Sequence, residues 1–272
     1  MNGSIERMNN KINVMQGRLS YPINVDKIQE FPETTWVHEI MYANEIGLNG
    51  LEWICDSNLS NPLLNIYQIN KIKKLLKNTD NRISINTFCM DFLEDIDEIF
   101  KKMPYRLLTC FIQAATILVD TPKIVIPLFK KLTPEFVDRF ENATNRLMPL
   151  GTNYNRMFEI DDFDGYRKIF RGYKICYDIG NRQLCAENIC DELLEFEDTI
   201  YHIHIKEKNI KGVSVPLGQG IIGFGGWRKI FDTLKKIKYR HDFTLQVARG
   251  MQGNETETVS EQCKLVKALS HG

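Results

Sequence analysis

The sequence predicts an α/β protein built as a single (β/α)8 TIM barrel domain spanning residues 1–272. Short apolar segments rich in β-branched and aromatic residues alternate with segments of helical periodicity, giving roughly eight strand–helix pairs. No linker or low-complexity segment interrupts this pattern, and about 250 residues is an ordinary length for such a barrel. The same alternation also allows an open, doubly wound parallel sheet, which is the alternative fold.

Eight segments are predicted as strands because each is short, apolar and bounded by turn-forming or polar residues. Most of them end in polar side chains, as strands do when they deliver functional groups to the carboxyl-terminal face of a barrel. Pro127 suits only the end of its strand, since proline donates no backbone hydrogen bond. The predicted strands are Lys11–Leu19, Leu48–Asp56, Arg82–Asp91, Lys123–Phe129, Asn155–Asp161, Lys174–Asn181, Tyr201–Lys208 and Phe243–Gly250.

The segments between these strands repeat their apolar residues every three to four positions, as amphipathic helices do. Gly47 follows the first of them as a C′ glycine, and Thr133 with Pro134 forms a typical helix start. The predicted helices are Trp36–Ile46, Asn65–Leu76, a helix from about Leu107 to Leu118, Thr133–Leu147, a short one around Asp164–Phe170, Glu187–Phe196, Trp227–Ile237 and Thr256–Leu269.

The composition indicates a soluble intracellular protein. Hydrophobic residues make up 43% of the chain, and 35 basic residues balance 35 acidic ones, so neither nucleic acid nor an anionic membrane is expected as a partner. Seven cysteines without CxxC spacing indicate reduced, mostly buried thiols. The first residues lack the apolar core of a signal peptide, and no run approaches the ~18 apolar residues of a membrane span. We therefore expect a cytoplasmic location.

Four polar residues end four different late strands: Glu159, Asp178, His204 and Gln246. Strand ends converge around one axis in a barrel, so these side chains are candidates for a single site. One imidazole with carboxylate and carbonyl oxygens suits Mn²⁺, Mg²⁺, Co²⁺ or Zn²⁺. Such an ion polarises a carbonyl group, and a carboxylate beside it moves a proton. Each residue taken alone also has a structural interpretation, such as a turn cap for Asp178.

Five further polar residues near strand ends are candidates for substrate contacts: Gln16, Arg18, Glu52, Lys206 and Arg249. The cations suit a phosphate or carboxylate group, and salt bridges at the barrel rim are the alternative. We expect one of His202 and His204 to face the barrel interior and the other the helices. The loop Pro216–Gly220 has backbone N–H groups suited to an anion. The glycine-rich segment Gly218–Gly226 is not interpreted as a dinucleotide-binding fingerprint, because the strand before it ends too early for the tight turn that such a site requires.

Several segments together resemble the sugar phosphate isomerase/epimerase family of the xylose-isomerase-like TIM barrels. In chain order they are MQGRL (Met15–Leu19), IGLNGLEWICD (Ile46–Asp56), YDIGN (Tyr177–Asn181), HIHIKEK (His202–Lys208), VPLGQG (Val215–Gly220) and LQVARG (Leu245–Gly250). The resemblance covers nearly the whole chain and implies a divalent metal held by Glu, Asp, His and Glu at four late strand ends. It places the first three ligands on Glu159, Asp178 and His204.

The fourth ligand position falls on Gln246, where the sequence departs from the family. The resemblance makes the first and last ligands, here Glu159 and Gln246, the acid/base pair. An amide offers a carbonyl oxygen to a metal, but it does not exchange a proton at neutral pH. Asn181 stands where many relatives have a substrate-contacting histidine, and Glu207 where relatives often have aspartate.

The sequence thus predicts a metal-dependent isomerase or epimerase acting on a sugar or sugar-like hydroxycarbonyl compound, with Glu159 as the base. The partner is a small-molecule sugar or sugar phosphate, and a homo-oligomer is left open. A metal-dependent hydrolase or lyase, including the AP-endonuclease branch, is one alternative, which five histidines and zero net charge disfavour. A non-catalytic or diverged sugar-binding barrel is the other, prompted by Gln246.

Overall fold

A closed barrel of eight parallel strands forms the centre of the protein. The computed structural model describes residues 8–22, 29–80, 82–93, 104–129, 131–138, 153–182 and 184–271. Within them each strand pairs with its neighbours in chain order, and the last pairs with the first, which confirms the predicted (β/α)8 barrel. The strands are β1 (Ile12–Met15), β2 (Gly50–Ile54), β3 (Ser84–Cys89), β4 (Lys123–Leu128), β5 (Asn155–Ile160), β6 (Ile175–Asp178), β7 (Ile200–Ile205) and β8 (Phe243–Leu245).

Most strands are shorter than predicted. The prediction followed the apolar residues, and these remain buried beyond the last residue that is paired in the sheet. Strand β8 ends at Leu245, yet Val247 beyond it is still buried, so apolar character alone overestimates the strand. The segment predicted to continue β6 instead forms a short helix, Ile179–Arg182, and Glu207–Lys208 after β7 pairs with Ser214–Val215 in a small antiparallel ribbon. The segments that follow β6 and β7 therefore leave the barrel sheet sooner than predicted and form local structure of their own.

The longer helices are α1 (Trp36–Glu45), α2 (Ile66–Asn78), α3 (Pro104–Leu118), α4 (Ala186–Glu195), α5 (Gly223–Lys236) and α6 (Glu255–His271). Gly47, predicted to end α1, has a φ of 71° in the left-handed region that glycine adopts freely. The Asn65 side chain caps α2 by accepting the N–H of Tyr67. Helix α5 begins four residues before the predicted Trp227.

Two predicted helices differ from their observed form. Of Thr133–Leu147, residues 134–138 are helical and 139–147 lie outside the described residues. The segment Asp164–Phe170 consists of a short turn of helix, Phe163–Gly165, followed by a π-helical turn, Tyr166–Phe170. Helix α3 begins at Pro104, three residues before the predicted start at about Leu107, and proline suits the first position of a helix because its missing N–H costs nothing there.

The core occupies both faces of the barrel sheet. All five residues of β2 are buried, as expected for parallel strands covered on one side by helices and on the other by the barrel interior. The interior also contains polar groups: Glu52, His202 and Thr244 are completely buried. Among the described residues, no helix is both long enough and apolar enough to cross a membrane.

Candidate active site

Glu159, Asp178 and His204 converge at the carboxyl ends of three consecutive strands. Asp178 on β6 is level with His204 on β7, and Glu159 on the neighbouring β5 is level with Cys176. The Nδ1 atom of His204 lies 3.4 Å from Oε2 of Glu159 and 3.9 Å from Oδ2 of Asp178. Each of the three residues is at most 3% exposed, so the group is enclosed by the barrel.

The other nitrogen of His204 contacts Glu52. Its Nε2 atom lies 3.0 Å from Oε1 of that carboxylate, and Nε2 of His202 lies 3.0 Å from Oε2. Because a carboxylate only accepts, Nε2 of His204 carries a hydrogen, and in the neutral ring Nδ1 presents its lone pair toward Glu159 and Asp178. Glu52 is thus buried beneath the candidate metal ligands rather than at the barrel mouth.

Both histidines of β7 point into the barrel interior. Strands β2 and β7 are not neighbours in the barrel, so contacts from Glu52 to both His202 and His204 must cross the interior. The prediction that the two rings face opposite sides is therefore wrong. The physical reason is that side chains two positions apart in a strand lie on the same face.

Burial and neighbouring charges shift the pKa values of this group. Burial raises the pKa of Glu159, and the nearby His204 only partly opposes the shift. Burial also disfavours the charged form of Asp178, but Lys206 and His204 outweigh it and lower the pKa of that carboxyl. For His204, burial lowers the pKa, whereas Cys176, Glu52 and Glu159 together raise it well above the usual value. The negative groups around His204 therefore favour a positive charge at the position of its imidazole.

The donor atoms fit a divalent cation. One ligand atom from each of Glu159, Asp178 and His204 lies within 4.8 Å of the others, and Nδ1 of His204 has no well-aligned hydrogen bond among the described residues. Two carboxylates with one imidazole form a donor set used for Mn²⁺, Mg²⁺, Co²⁺ and Zn²⁺. Three of the four predicted ligands thus lie close enough together to share one cation.

Gln246, the fourth predicted ligand, connects to the group through Lys206. The ammonium Nζ of Lys206 lies 2.8 Å from Oδ2 of Asp178 and 2.5 Å from Oε1 of Gln246. The side chains of Lys206 and Gln246 are buried, with 6% and 5% of their surface exposed. The carbonyl oxygen that Gln246 offers is therefore already bonded to a cation of the protein itself.

Asn181, a predicted substrate contact, also lies in this group. Its backbone N–H donates to Oδ1 of Asp178 at 2.9 Å, and its side-chain Nδ2 donates to Oε1 of Glu159 at 3.0 Å. Lys208 donates to its Oδ1 at 2.9 Å. Asn181 therefore orients both carboxylates of the candidate metal set.

Gln16, Arg18 and Arg249 lie around the turn that follows β1. The Gln16 side-chain oxygen accepts the N–H of Ile54 at 2.9 Å, and Nε of Arg249 donates to the carbonyl of Gly17 at 2.8 Å. Arg18 is 3% exposed, and burial together with Arg249 lowers the pKa of its guanidinium to about 9. The Gln16 amide is thus used partly to join β1 to β2.

Gln29 carried no recognised signal in the sequence, and Glu207 was recognised only as a difference from the family. Gln29 lies in an irregular loop without periodicity, yet it accepts from Nε2 of Gln246 at 2.9 Å and donates to Asp91 at 2.7 Å. The Glu207 carboxylate accepts the N–H groups of Gly218, Gly220 and Gly223, and also the indole N–H of Trp227. The backbone N–H groups of this glycine-rich loop thus do meet an anion, and that anion is a side chain of the protein itself.

Solved structures with the same architecture are numerous, whereas no protein-family model and no curated protein matches the sequence. A D-allulose 3-epimerase from Methylomonas sp. superposes with a TM-score of 0.68 at 14% identity, covering 97% of this chain and 98% of that one. A sugar phosphate isomerase/epimerase from Parabacteroides distasonis gives 0.64 at 14% identity, with coverage of 97% and 100%. A xylose isomerase-like TIM barrel protein from Mycobacterium smegmatis, in complex with magnesium, gives 0.61 at 14% identity, with coverage of 98% and 99%.

The fold is that of the xylose-isomerase-like TIM barrels. The superpositions cover nearly the whole length of this chain and of the other chain, so the similarity extends over the complete barrel. A probable dehydratase and an AP endonuclease share this xylose-isomerase-like fold as well. The similarity therefore establishes the architecture, while the reaction has to be argued from the side chains.

Proposed function

We propose that this xylose-isomerase-like barrel is an isomerase or epimerase acting on a sugar or a sugar-like hydroxycarbonyl compound. The observation that carries the proposal is the convergence of Glu159, Asp178 and His204 at neighbouring strand ends. The sugar epimerases and isomerases that share the fold support the substrate class. No described part of the site requires a larger partner.

Glu159 is the base in this proposal. Its pKa is raised by burial, and a carboxylate with a raised pKa accepts a proton more readily from a carbon acid. Asn181 holds Oε1 of Glu159, so that Oε2 remains directed toward His204. Glu159 removes the proton next to the substrate carbonyl and returns it to a carbon atom.

Glu159, Asp178 and His204 would hold a divalent cation, with Mn²⁺, Mg²⁺, Co²⁺ and Zn²⁺ as candidates. The chemistry that such a cation supplies when bound is polarisation of the substrate carbonyl. Lys206 and the two arginines near β1, Arg18 and Arg249, supply positive charge for a phosphate or another anionic substituent.

Gln246 limits which proton transfers are available. Epimerisation returns the proton to the opposite side of the same carbon, which ordinarily requires a second proton-exchanging group. The Gln246 amide does not exchange protons at neutral pH and is hydrogen-bonded to Lys206 and Gln29. A shift of the proton between adjacent carbons uses Glu159 as the one base at carbon, while the hydroxyl proton moves to the former carbonyl oxygen by exchange with solvent. Isomerisation therefore suits these residues better than a two-base epimerisation.

Exchange of substrate hydrogen with solvent tests this function. The protein is incubated in D₂O with panels of ketoses and aldoses and each candidate metal, and C–H to C–D exchange is followed by NMR. We expect exchange with the wild type and with Glu197→Gln, an exposed control, and loss of at least about 100-fold in rate for Glu159→Gln. Absence of exchange in a metal-loaded wild type would contradict the proposal.

Metal content is measured first, by elemental analysis of the wild type and of the Asp178→Ala and His204→Ala variants. About one ion per chain, lost in both variants, is the expected result. Binding of an ion that neither substitution removes would place it elsewhere and exclude this donor set.

A diverged barrel that binds a sugar without turnover is the second candidate, favoured by the amide at Gln246. Calorimetric binding of a sugar with no hydrogen exchange, together with appearance of exchange in Gln246→Glu, is the result that this candidate predicts. Turnover by the wild type excludes it.

A further inference from the structure

The ammonium group of Lys206 lies between the side chains of Asp178 and Gln246. Its Nζ lies 2.8 Å from Oδ2 of Asp178 and 2.5 Å from Oε1 of Gln246, at 6% exposure. A Cβ at Gly180 would lie 2.7 Å from Cγ of Lys206, so the absence of a side chain there makes room for the lysine stem. The position of Lys206 is therefore shaped by the protein on several sides.

The direction of the Gln246 amide follows from its partners. Asp91 accepts at Oδ1, so Gln29 uses its Nε2 to donate to it, at 2.7 Å. The oxygen of Gln29 is then directed to Gln246 and accepts from its Nε2 at 2.9 Å. This leaves Oε1 of Gln246 facing Lys206. The oxygen is the only metal-binding atom of this amide, and it is the atom that the ammonium contacts.

Asp178 is engaged in the same way. Its Oδ1 accepts the backbone N–H of Asn181, and its Oδ2 faces both Lys206 at 2.8 Å and His204 at 3.9 Å. The Lys206 ammonium therefore contacts one oxygen of Asp178 and one oxygen of Gln246. These are two of the four predicted metal ligands. A divalent cation beside those oxygens meets a like charge at close range, which weakens its binding.

We propose that Lys206 is a built-in competitor of a divalent cation at this site. A cation takes both Asp178 and Gln246 as ligands only when the ammonium gives up its contacts with them. This inference rests on the metal site of the proposed function and adds that Lys206 contacts oxygens that the cation would use. The ammonium also offsets part of the negative charge of these deeply buried carboxylates.

Titration with Mn²⁺ alone tests the inference, because the electron paramagnetic resonance signal of free Mn²⁺ falls as the ion binds. The proteins are the wild type, Lys206→Met, Lys206→Gln and Lys208→Met. Lys208 is the matched control, since it is a half-buried lysine beside the site that donates to Asn181 rather than to a predicted ligand. Circular dichroism melts establish that each protein is folded, and the glutamine variant retains a polar group for Asp178.

Both Lys206 variants are expected to bind Mn²⁺ at least about tenfold more tightly than the wild type, equivalent to about 1.4 kcal/mol. The Lys208→Met affinity stays within about threefold of the wild type. Adding His204→Ala to Lys206→Met removes the tight binding, which locates the ion.

Unchanged affinity in both Lys206 variants overturns the inference and leaves the metal site of the proposed function intact. Equal tightening in Lys208→Met also overturns it, because a general charge effect then explains the change. If neither the wild type nor the Lys206 variants bind Mn²⁺, both the inference and the metal site fail.

Discussion

His204 and Glu52 are joined across the barrel interior, with Nε2 of the imidazole 3.0 Å from Oε1 of the carboxylate. The same carboxylate holds His202 through its other oxygen. One buried glutamate on β2 thus orients two imidazoles on β7, and it directs Nδ1 of His204 toward Glu159 and Asp178. Outer contacts of this kind fix the tautomer and the ring orientation of a metal-binding histidine.

Replacing Glu52 with glutamine is therefore expected to weaken Mn²⁺ binding by about 10- to 100-fold. An amide replaces one of the two carboxylate oxygens with an NH₂ group, which weakens the contacts to the two imidazoles, and the negative charge behind His204 is lost as well. Glu39→Gln is the control, because Glu39 is equally buried but contacts the turn after β1. An Mn²⁺ affinity of Glu52→Gln equal to that of the control would exclude this orienting role.

Glu207→Gln is expected to lower the free energy of unfolding by about 1–3 kcal/mol. The carboxylate accepts several N–H groups from the glycine-rich loop and the indole of Trp227, and an amide satisfies fewer of them. Urea denaturation measures the change, with Glu197→Gln on the exposed surface as the control. Equal stability of the two variants would show that the loop does not depend on this carboxylate.

Gly50→Ala is expected to destabilise the barrel by about 1–3 kcal/mol. A Cβ at this position would lie 2.3 Å from the carbonyl oxygen of Ser84 and 2.8 Å from Oδ1 of Asn13, so strands β1, β2 and β3 would have to separate. Gly225→Ala on α5 is the matched control, since nothing lies within 4 Å of its added Cβ. The melting temperatures of the two variants are compared. A Gly50→Ala protein as stable as Gly225→Ala would contradict the close approach of Gly50 to the Ser84 carbonyl.

Thiol reactivity should follow burial among the seven cysteines. Burial raises the pKa of the Cys55 and Cys89 thiols well above the usual value, so little reactive thiolate forms there near neutral pH. Cys110 and Cys185 are exposed and are expected to react first with a thiol reagent in the native protein. Peptide mapping after labelling identifies the sites, and a denatured sample, in which all seven react, is the control. Early labelling of Cys55 or Cys89 would contradict the structure.

The positions of the strand-end residues were predictable to different degrees. Glu159, Asp178 and His204 end strands whose apolar runs are readable, and they do lie together. Their roles as ligands and base stay predictions. The shared orientation of His202 and His204 follows from the two-residue period of a strand, so it was predictable from the sequence. Gln29 could not be recognised, because an irregular loop has no period that indicates where a side chain points.

The sequence by itself determined the barrel and which polar residues stand at its strand ends. Both depend on local periodicity and on turn-forming residues, whose effects act over a few positions. Only the tertiary structure decided that Lys206 lies between Asp178 and Gln246, that Glu52 holds both histidines, and that Gln29 orients Gln246. Contacts such as these join residues 40, 152 and 217 positions apart. They depend on strand register and on closure of the barrel, which no local pattern of residues specifies.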